Sequence, residues 1–249
     1  DYGQMPGIAP VKGDVQKSLA NLNLNLRAAT ELDKGLKYLP HSLKEVGDIE
    51  TLFKSNCKDG TARIYTDVKA GEDILKNLKK APRILHLSTH GFFLQQSKDS
   101  QLAEEEPMVL SGLALAGANQ GLKGILDKNG DDGLLYSLEV LGLNLQGTEL
   151  VSLSACETGK GVIDYSEGVY GLIRAFRTAG AKNVLMTLSP VGDKSAKEFM
   201  VKFYEIWLSS PEGTAPSDAL NRTWRYFINH QNPEYRDPAF WSSYVMVGP

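Results

Sequence analysis

A cysteine and a histidine in this sequence stand where they could carry out nucleophilic chemistry together. Cys156 follows residues 149–155, a near-continuous apolar run, and His90 follows residues 83–89, a second strand-like run. A neutral imidazole beside a thiol accepts its proton, and the resulting thiolate is the nucleophile in acyl transfer. Both runs predict β-strands, and ligands of open parallel sheets bind beyond the carboxyl ends of the strands. If the two strands are neighbours, imidazole and thiol share one crevice.

The residues around this pair fit the same chemistry. Gly91 allows a substrate to approach closely, and its backbone N–H, with that of Cys156, could stabilise an oxyanion. Gly159 and Gly161 permit a sharp exit from the strand that exposes the thiol. We therefore predict His90 as base, Cys156 as nucleophile, and an oxyanion site at Gly91 and Cys156.

Each residue also has a structural interpretation. A cysteine at the end of an apolar strand is often a small core residue, and His86, in the middle of its strand, is typical of a hydrogen-bonded structural histidine. Cys57 lies in the turn-like residues 55–60, which predicts an incidental surface or half-buried thiol. The joint pattern of His90 and Cys156, each at the carboxyl end of a strand, favours catalysis for that pair.

Predicted strands and helices alternate along most of the chain, beginning at residue 62. Such alternation predicts an α/β fold, a mostly parallel sheet with helices on both faces. The strands are 62–66, 83–89, 149–155, 183–188 and 241–247; the helices are 72–80, 167–179, 193–208 and 217–229; an inserted β-hairpin joins 108–116 to 123–126 through a bend at 117–121.

The first 60 residues are weakly patterned. A helix is predicted after the cap at residues 40–42, whereas residues 19–26 alternate leucine with asparagine, which favours turns. We treat 1–60 as the N-terminal part and 61–249 as the main part of one domain, 1–249.

Two connections are long, 91–107 and 127–137. Residues 127–133 resemble a calcium loop but lack its terminal glutamate, so a solvated, turn-rich loop is predicted.

Composition excludes several classes of protein. Hydrophobic residues make up 42% and charged residues 23% of 249, with a net charge of −3, as in ordinary globular proteins without the basic footprint of nucleic-acid binding. The apolar runs are strand-sized, which predicts no membrane span. Two cysteines are too few for a disulfide scaffold, so we expect reduced thiols and a cytoplasmic location. No Cys and His spacing predicts a metal site.

Two segments carry a family resemblance. Residues 85–91, LHLSTHG, and residues 153–159, LSACETG, resemble the two signature segments of the CHAT family of caspase-like cysteine peptidases. The resemblance spans roughly residues 80–248, and it continues through residues 111–119, 167–176, 180–184 and 238–248. It implies the caspase and separase fold, a Cys–His dyad and no cofactor. His90 matches the family's base, and Cys156 matches its nucleophile.

The resemblance also suggests substrate-binding residues. Ser154, two residues before Cys156, is neutral, and Asp193 is the one acidic residue that the family pattern places near the rim of the cleft. Asp193 alternatively caps the helix that follows it, by accepting backbone N–H bonds. We favour the cap, which predicts an apolar or shallow pocket for the residue before the cut.

The leading hypothesis is an endopeptidase that cuts one or few protein substrates, possessing a cleft gated by an upstream region or a partner, in a bacterial defence or cell-death setting. The alternative is a catalytically idle module whose cleft binds a partner peptide. Thiol labelling discriminates them, because an active nucleophile reacts much faster than Cys57. Residues 1–3 resemble the exit of a strand, so we expect upstream sequence with a regulatory part. A nucleotide-binding domain is disfavoured, since no glycine-rich phosphate loop follows a strand.

Overall fold

The computed structural model describes residues 35–93, 111–157, 165–189 and 191–249, with the backbone alone for 93, 155–157 and 165–169. Its strands form one six-stranded sheet in the spatial order β3-β2-β1-β4-β5-β6. They are β1 (Ile84–Phe93), β2 (Ser111–Ala114), β3 (Leu134–Tyr136), β4 (Leu150–Glu157), β5 (Asn183–Thr187) and β6 (Tyr244–Val247). The central strands β1, β4 and β5 are parallel, and the outer pairings are antiparallel. The predicted α/β class is confirmed.

Helices cover both faces of this sheet. Among the described residues they are α1 (Pro40–Asn56), α2 (Glu72–Lys76), α3 (Ala118–Gly121), α4 (Ser137–Val140), α5 (Tyr165–Thr178), α6 (Asp193–Leu208), α7 (Pro216–Ile228), α8 (Pro233–Arg236) and α9 (Pro238–Trp241), together with a 3₁₀ turn at Asp67–Lys69. Successive residues of β4 point to opposite faces, as a strand requires. Val151 packs in the core beneath α5, whereas Leu150 packs in the core beneath α6 and α7.

Two predicted strands are wrong. Residues 62–66 form no strand, and Ile64 and Tyr65 are exposed there, so no buried neighbour stabilises an extended ladder. Residues 123–126 are likewise not a strand. After Gly117, in the left-handed region at φ 95°, the chain turns into α3, and β2 pairs instead with β3. The inserted antiparallel pair therefore exists with a different second strand.

Several predicted boundaries move. The helix predicted at 72–80 ends at Lys76, and the last strand begins at Tyr244 after α9 and runs antiparallel to β5. Strands β1 and β4 extend past the ends predicted at residues 89 and 155, because the ladders continue through His90 and Cys156. The predictions for residues 19–26, and for most of the connection 91–107, lie outside the described residues.

Candidate functional site

His90 and Cys156 occupy one register position on the two central parallel strands. In the ladder between β1 and β4, His90 pairs with Cys156, Ser88 with Ser154, and His86 with Ser152. Neighbouring strands lie about 4.8 Å apart in this direction. The expectation that the two strands are neighbours is therefore confirmed, and the backbones of the two residues lie side by side in the ladder.

These paired residues stand on the face of the sheet that α1 and α6 cover. Ile84 and Leu150 form the first pair of the ladder, and both pack in the core beneath α6. Because successive strand residues alternate between faces, every second pair beyond them stands on the same face. A column of polar residues therefore follows this apolar start and ends at His90 on β1 and at Ser154 on β4, one pair before the backbone of Cys156.

The imidazole of His90 has one ring nitrogen engaged and one free. Its Nε2 lies 2.6 Å from the backbone oxygen of Lys37. A carbonyl oxygen only accepts hydrogen bonds, so Nε2 carries the hydrogen and donates it. His90 is 7% exposed, and its Nδ1 is buried without a hydrogen-bond partner among the described residues. In the neutral ring this contact leaves a lone pair on Nδ1, the atom that can accept a proton.

The sequence did not indicate that Lys37 is a hydrogen-bond partner of His90. The contact is made by its main-chain carbonyl, and Lys37 lies in the segment 35–39 that precedes α1. A carbonyl group is present at every residue, so no side-chain pattern announces its use. The family resemblance begins at about residue 80 and gave no signal either.

Gly91 and Ser154 adjoin the pair. Gly91 is buried in β1 between two register partners, Leu113 on β2 and Glu157 on β4. Ser154 is 4% exposed, and its Oγ has no hydrogen-bond partner among the described residues. A buried unpaired hydroxyl costs about 1–3 kcal/mol, which is unusual enough to require an explanation.

Asp193 does not cap its own helix, so that prediction is wrong. Gly192 is the N-cap residue of α6, and Asp193 is the first helical residue. Its Oδ2 instead accepts the backbone N–H of His41, at 2.9 Å, in the first turn of α1. The N-cap residue of α1, Leu39, makes no side-chain cap bond, so the first turn of α1 has unsatisfied N–H groups that attract a carboxylate. Asp193 thus caps a neighbouring helix and ties the starts of α1 and α6 together.

His86 is a structural residue, as its place in the middle of the strand predicted. Its Nε2 lies 2.8 Å from Oε1 of Glu45, and its Nδ1 lies 3.3 Å from Oγ of Ser152. The hydroxyl of Ser152 is in turn 3.0 Å from that of Tyr204, whose pKa is raised by burial. Both ring nitrogens of His86 are engaged, so neither is available to accept a proton from a thiol.

The other residues that the sequence singled out either have structural places of their own or fall outside the described residues. Cys57 is a half-buried free thiol at the C-cap of α1, as predicted. Gly159 and Gly161 lie outside the described residues. Oδ1 of Asp127 accepts the backbone N–H groups of Asn129 and Asp131, at 2.7 and 2.9 Å, which confirms the turn-rich loop over residues 127–133.

A lysine holds this loop to α2. Nζ of Lys76 lies 2.5 Å from Glu72 and 2.9 Å from both Asp131 and Glu139. Burial raises the pKa of Glu72 to about 7, and nearby Glu139 adds to the rise. Burial alone would lower the pKa of Lys76, but its hydrogen bonds to the three carboxylates raise it. The ammonium group thus supplies the positive charge at the centre of this acidic cluster.

No group of three or more His, Cys, Asp or Glu side chains among the described residues is arranged to hold a metal ion. Within the same residues, no helix combines the length and the apolar character that crossing a membrane requires.

The fold, a six-stranded sheet with parallel central strands and helices on both faces, is similar to that of the caspase-like α/β domains. The family model for the CHAT domain matches residues 11–249, so the chain belongs to the CHAT domain family of caspase-like cysteine-peptidase-like domains. Over 115 residues, 46% of this chain, it is 30% identical to Tetratricopeptide repeat protein 28 of Homo sapiens and of Mus musculus. The matched segment covers 4% of the length of either relative.

Proposed function

We propose that the chain is a cysteine endopeptidase in which Cys156 is the nucleophile and His90 the general base. One observation carries the proposal: Nδ1 of His90, which has no hydrogen-bond partner among the described residues, belongs to the residue that shares a register position with Cys156. A buried imidazole with a free lone pair beside a cysteine is the arrangement that generates a thiolate.

The reaction follows from these groups. Nδ1 of His90 takes the proton of the Cys156 thiol, and the sulfur attacks the carbonyl carbon of the scissile peptide bond. Backbone N–H groups of Gly91 and Cys156 stabilise the oxyanion that forms. The imidazolium then protonates the leaving amine as the C–N bond breaks, and water hydrolyses the remaining thioester.

The carbonyl of Lys37 contributes in two ways. It keeps the hydrogen of the neutral ring on Nε2, which leaves Nδ1 as the base. When the ring becomes an imidazolium, the same contact becomes a charge-assisted hydrogen bond, which is stronger than a neutral one. Lys37 therefore stabilises the ion pair that the mechanism requires.

The pocket for the residue before the cut is proposed to be apolar or shallow, with Ser154 beside the nucleophile and Asp193 at the rim as the candidate substrate-binding residues. The hydroxyl of Ser154 is neutral, buried and without a hydrogen-bond partner among the described residues, so a substrate group that reaches it would satisfy it. Oδ2 of Asp193 accepts the backbone N–H of His41, so this carboxylate is already engaged in a structural contact. A peptide-library profile should therefore show no strict preference for basic residues. A strict arginine preference that is lost in Asp193→Asn would contradict this.

The chain is further proposed to act in the cytoplasm on one or few protein substrates, under control of another region or partner. The relatives it matches are named for tetratricopeptide repeats, and the matched segment is a small part of each. A regulatory region of that kind could gate the cleft, in a bacterial defence or cell-death system. The test compares turnover by this chain with turnover by a longer protein, with and without its partner. Equal, high turnover in every state would rule out gating.

Thiol labelling tests the dyad and separates it from an idle peptide-binding module. A peptide with an electrophilic end should label Cys156 much faster than Cys57, as located by mass spectrometry. Cys156→Ala should abolish cleavage, and His90→Ala should reduce it by about 10³-fold, the loss typical of members of one catalytic unit. Cys57→Ser is the matched control and should retain activity within a few-fold. Wild-type cleavage by Cys156→Ala would refute the proposal, and equal labelling of both thiols would favour the idle module.

A further inference from the structure

We infer that Asn119 is a positioning residue for His90, acting through the main chain of residues 36 and 37; the inference rests on the proposed function of His90. The carbonyl of Lys37 is the group that orients the imidazole. Lys37 is an exposed residue of a segment outside the sheet, so something must hold its carbonyl in place. Asn119 holds the residue immediately before it.

The contact has the form of a short strand pairing. The backbone N–H of Leu36 donates to Oδ1 of Asn119 at 2.7 Å, and Nδ2 of Asn119 donates to the backbone oxygen of Leu36 at 3.0 Å. Both main-chain polar groups of Leu36 are thereby satisfied by one side chain. The approach is close, because a Cβ placed on Gly35, which has φ 76°, would lie 3.3 Å from Oδ1 of Asn119.

Asn119 is itself fixed to the strand beside β1. It belongs to α3, which follows β2, and Ala114 at the end of β2 is the register partner of His90. The backbone N–H of Leu115 donates to the oxygen of Gly133 at 2.7 Å. Gly133 in turn donates its N–H to Oε1 of Glu72, also at 2.7 Å. The segment that carries Asn119 is therefore anchored to the same sheet as His90.

The side chain of Leu36 adds a second anchor. It packs against an apolar cluster formed by Phe92, Ala114, Ala118 and Leu134. This apolar contact restrains the segment but leaves its rotation about the chain direction free. The two hydrogen bonds of Asn119 remove that rotation, and with it the freedom of the next carbonyl, that of Lys37.

Loss of Asn119 should therefore alter the chemistry of Cys156 more than the stability of the fold. Water can replace the two hydrogen bonds, because Asn119 is exposed. The carbonyl of Lys37 would then be less well placed to favour the imidazolium. The ion pair of thiolate and imidazolium would form less readily, and the pH at which Cys156 becomes reactive would rise.

The experiment measures the alkylation of Cys156 by iodoacetamide as a function of pH, in a Cys57→Ser background so that one thiol reports. Asn119→Ala should lower the rate at neutral pH about tenfold, the effect of losing the one neutral hydrogen bond from the imidazole to the carbonyl of Lys37, and move the half-maximum to higher pH. Asn119→Asp keeps the acceptor for Leu36 but loses the donor, so it should fall between Asn119→Ala and the parent.

Asn183→Ala is the matched control. Nδ2 of Asn183 donates to the backbone oxygen of Glu149 at 2.9 Å, at the amino ends of β4 and β5, away from His90. The Asn183→Ala substitution removes a side-chain-to-backbone hydrogen bond of the same kind and should leave the pH profile of Cys156 unchanged. A profile of Asn119→Ala equal to the parent's, with Cys156 reactive in both, would overturn the inference and leave the proposed function standing. An unreactive Cys156 in the parent would overturn the proposed function as well.

Discussion

Replacing Glu45 tests whether His86 serves the fold, as its two occupied nitrogens indicate. The side chains of Glu45 and His86 are 1% and 9% exposed and lie 2.8 Å apart. Alanine at position 45 removes the partner of Nε2 and leaves that buried nitrogen unpaired. A hydrogen bond to a charged group contributes about 1.5–3 kcal/mol, and an orphaned buried group adds a desolvation cost. We therefore expect Glu45→Ala to lower the free energy of unfolding by about 3 kcal/mol.

Glu45→Gln is the control, because its amide oxygen still accepts from His86. It should cost about 1 kcal/mol, the difference between a charged and a neutral partner. Urea denaturation of both variants, and of each combined with His86→Ala, gives the coupling energy of the pair. If Glu45→Ala and Glu45→Gln unfold at the same urea concentration, the contact contributes nothing and the reasoning fails.

The same variants separate the two histidines. His86 lies four residues before His90 on β1, roughly 13 Å away along the strand. Labelling of Cys156 in Glu45→Gln should therefore stay within about twofold of wild type, since additivity holds for sites that distant. A loss of labelling as large as that of His90→Ala would show that His86 takes part in the chemistry.

Three further predictions concern stability. Burial raises the pKa of Glu72 from 4.5 to about 7, so the folded protein holds this proton more tightly than the unfolded chain. The stabilisation from protonated Glu72 is therefore fully present below pH 4.5, and up to about 3 kcal/mol of it is lost as the pH rises to about 7. Urea denaturation at several pH values should show this decline in the free energy of unfolding for the wild type and a flatter dependence for Glu72→Gln. Parallel curves for the two proteins would contradict the prediction. Gly133→Ala forces a Cβ against the backbone of Ala118 at φ 78° and should lower the free energy of unfolding by about 2 kcal/mol or more. Gly130→Ala, at φ 85° with open space around the new Cβ, should lower it by about 1 kcal/mol. Equal urea midpoints for the two variants would show that the clash at Gly133 has no effect. Phe199→Ala removes a fully buried ring stacked on two others and should cost about 3–5 kcal/mol by the same assay, with a loss under 1 kcal/mol arguing against this packing.

The elements whose burial is uniform or periodic could be predicted from the amino-acid pattern alone. The apolar run before Cys156 became β4, and the helix predicted at 193–208 has those bounds in α6, because apolar side chains at the spacing of a strand or helix report the face that is buried. Residue type and position at the strand ends were enough to single out His90 and Cys156. The same inference fails where no neighbouring element buries the apolar side chains, as at residues 62–66, which form no strand.

Which groups lie next to one another could not be predicted, because it depends on how distant segments fold together. That β2 pairs with β3, that His90 stands level with Cys156, and that Asp193 caps α1 instead of α6 all depend on the register of distant segments. The contact from His90 to the carbonyl of Lys37 is the clearest case. Backbone N–H and C=O groups are the same at nearly every residue. A site completed by the main chain therefore leaves no trace in the side-chain pattern and becomes visible only when the chain is folded.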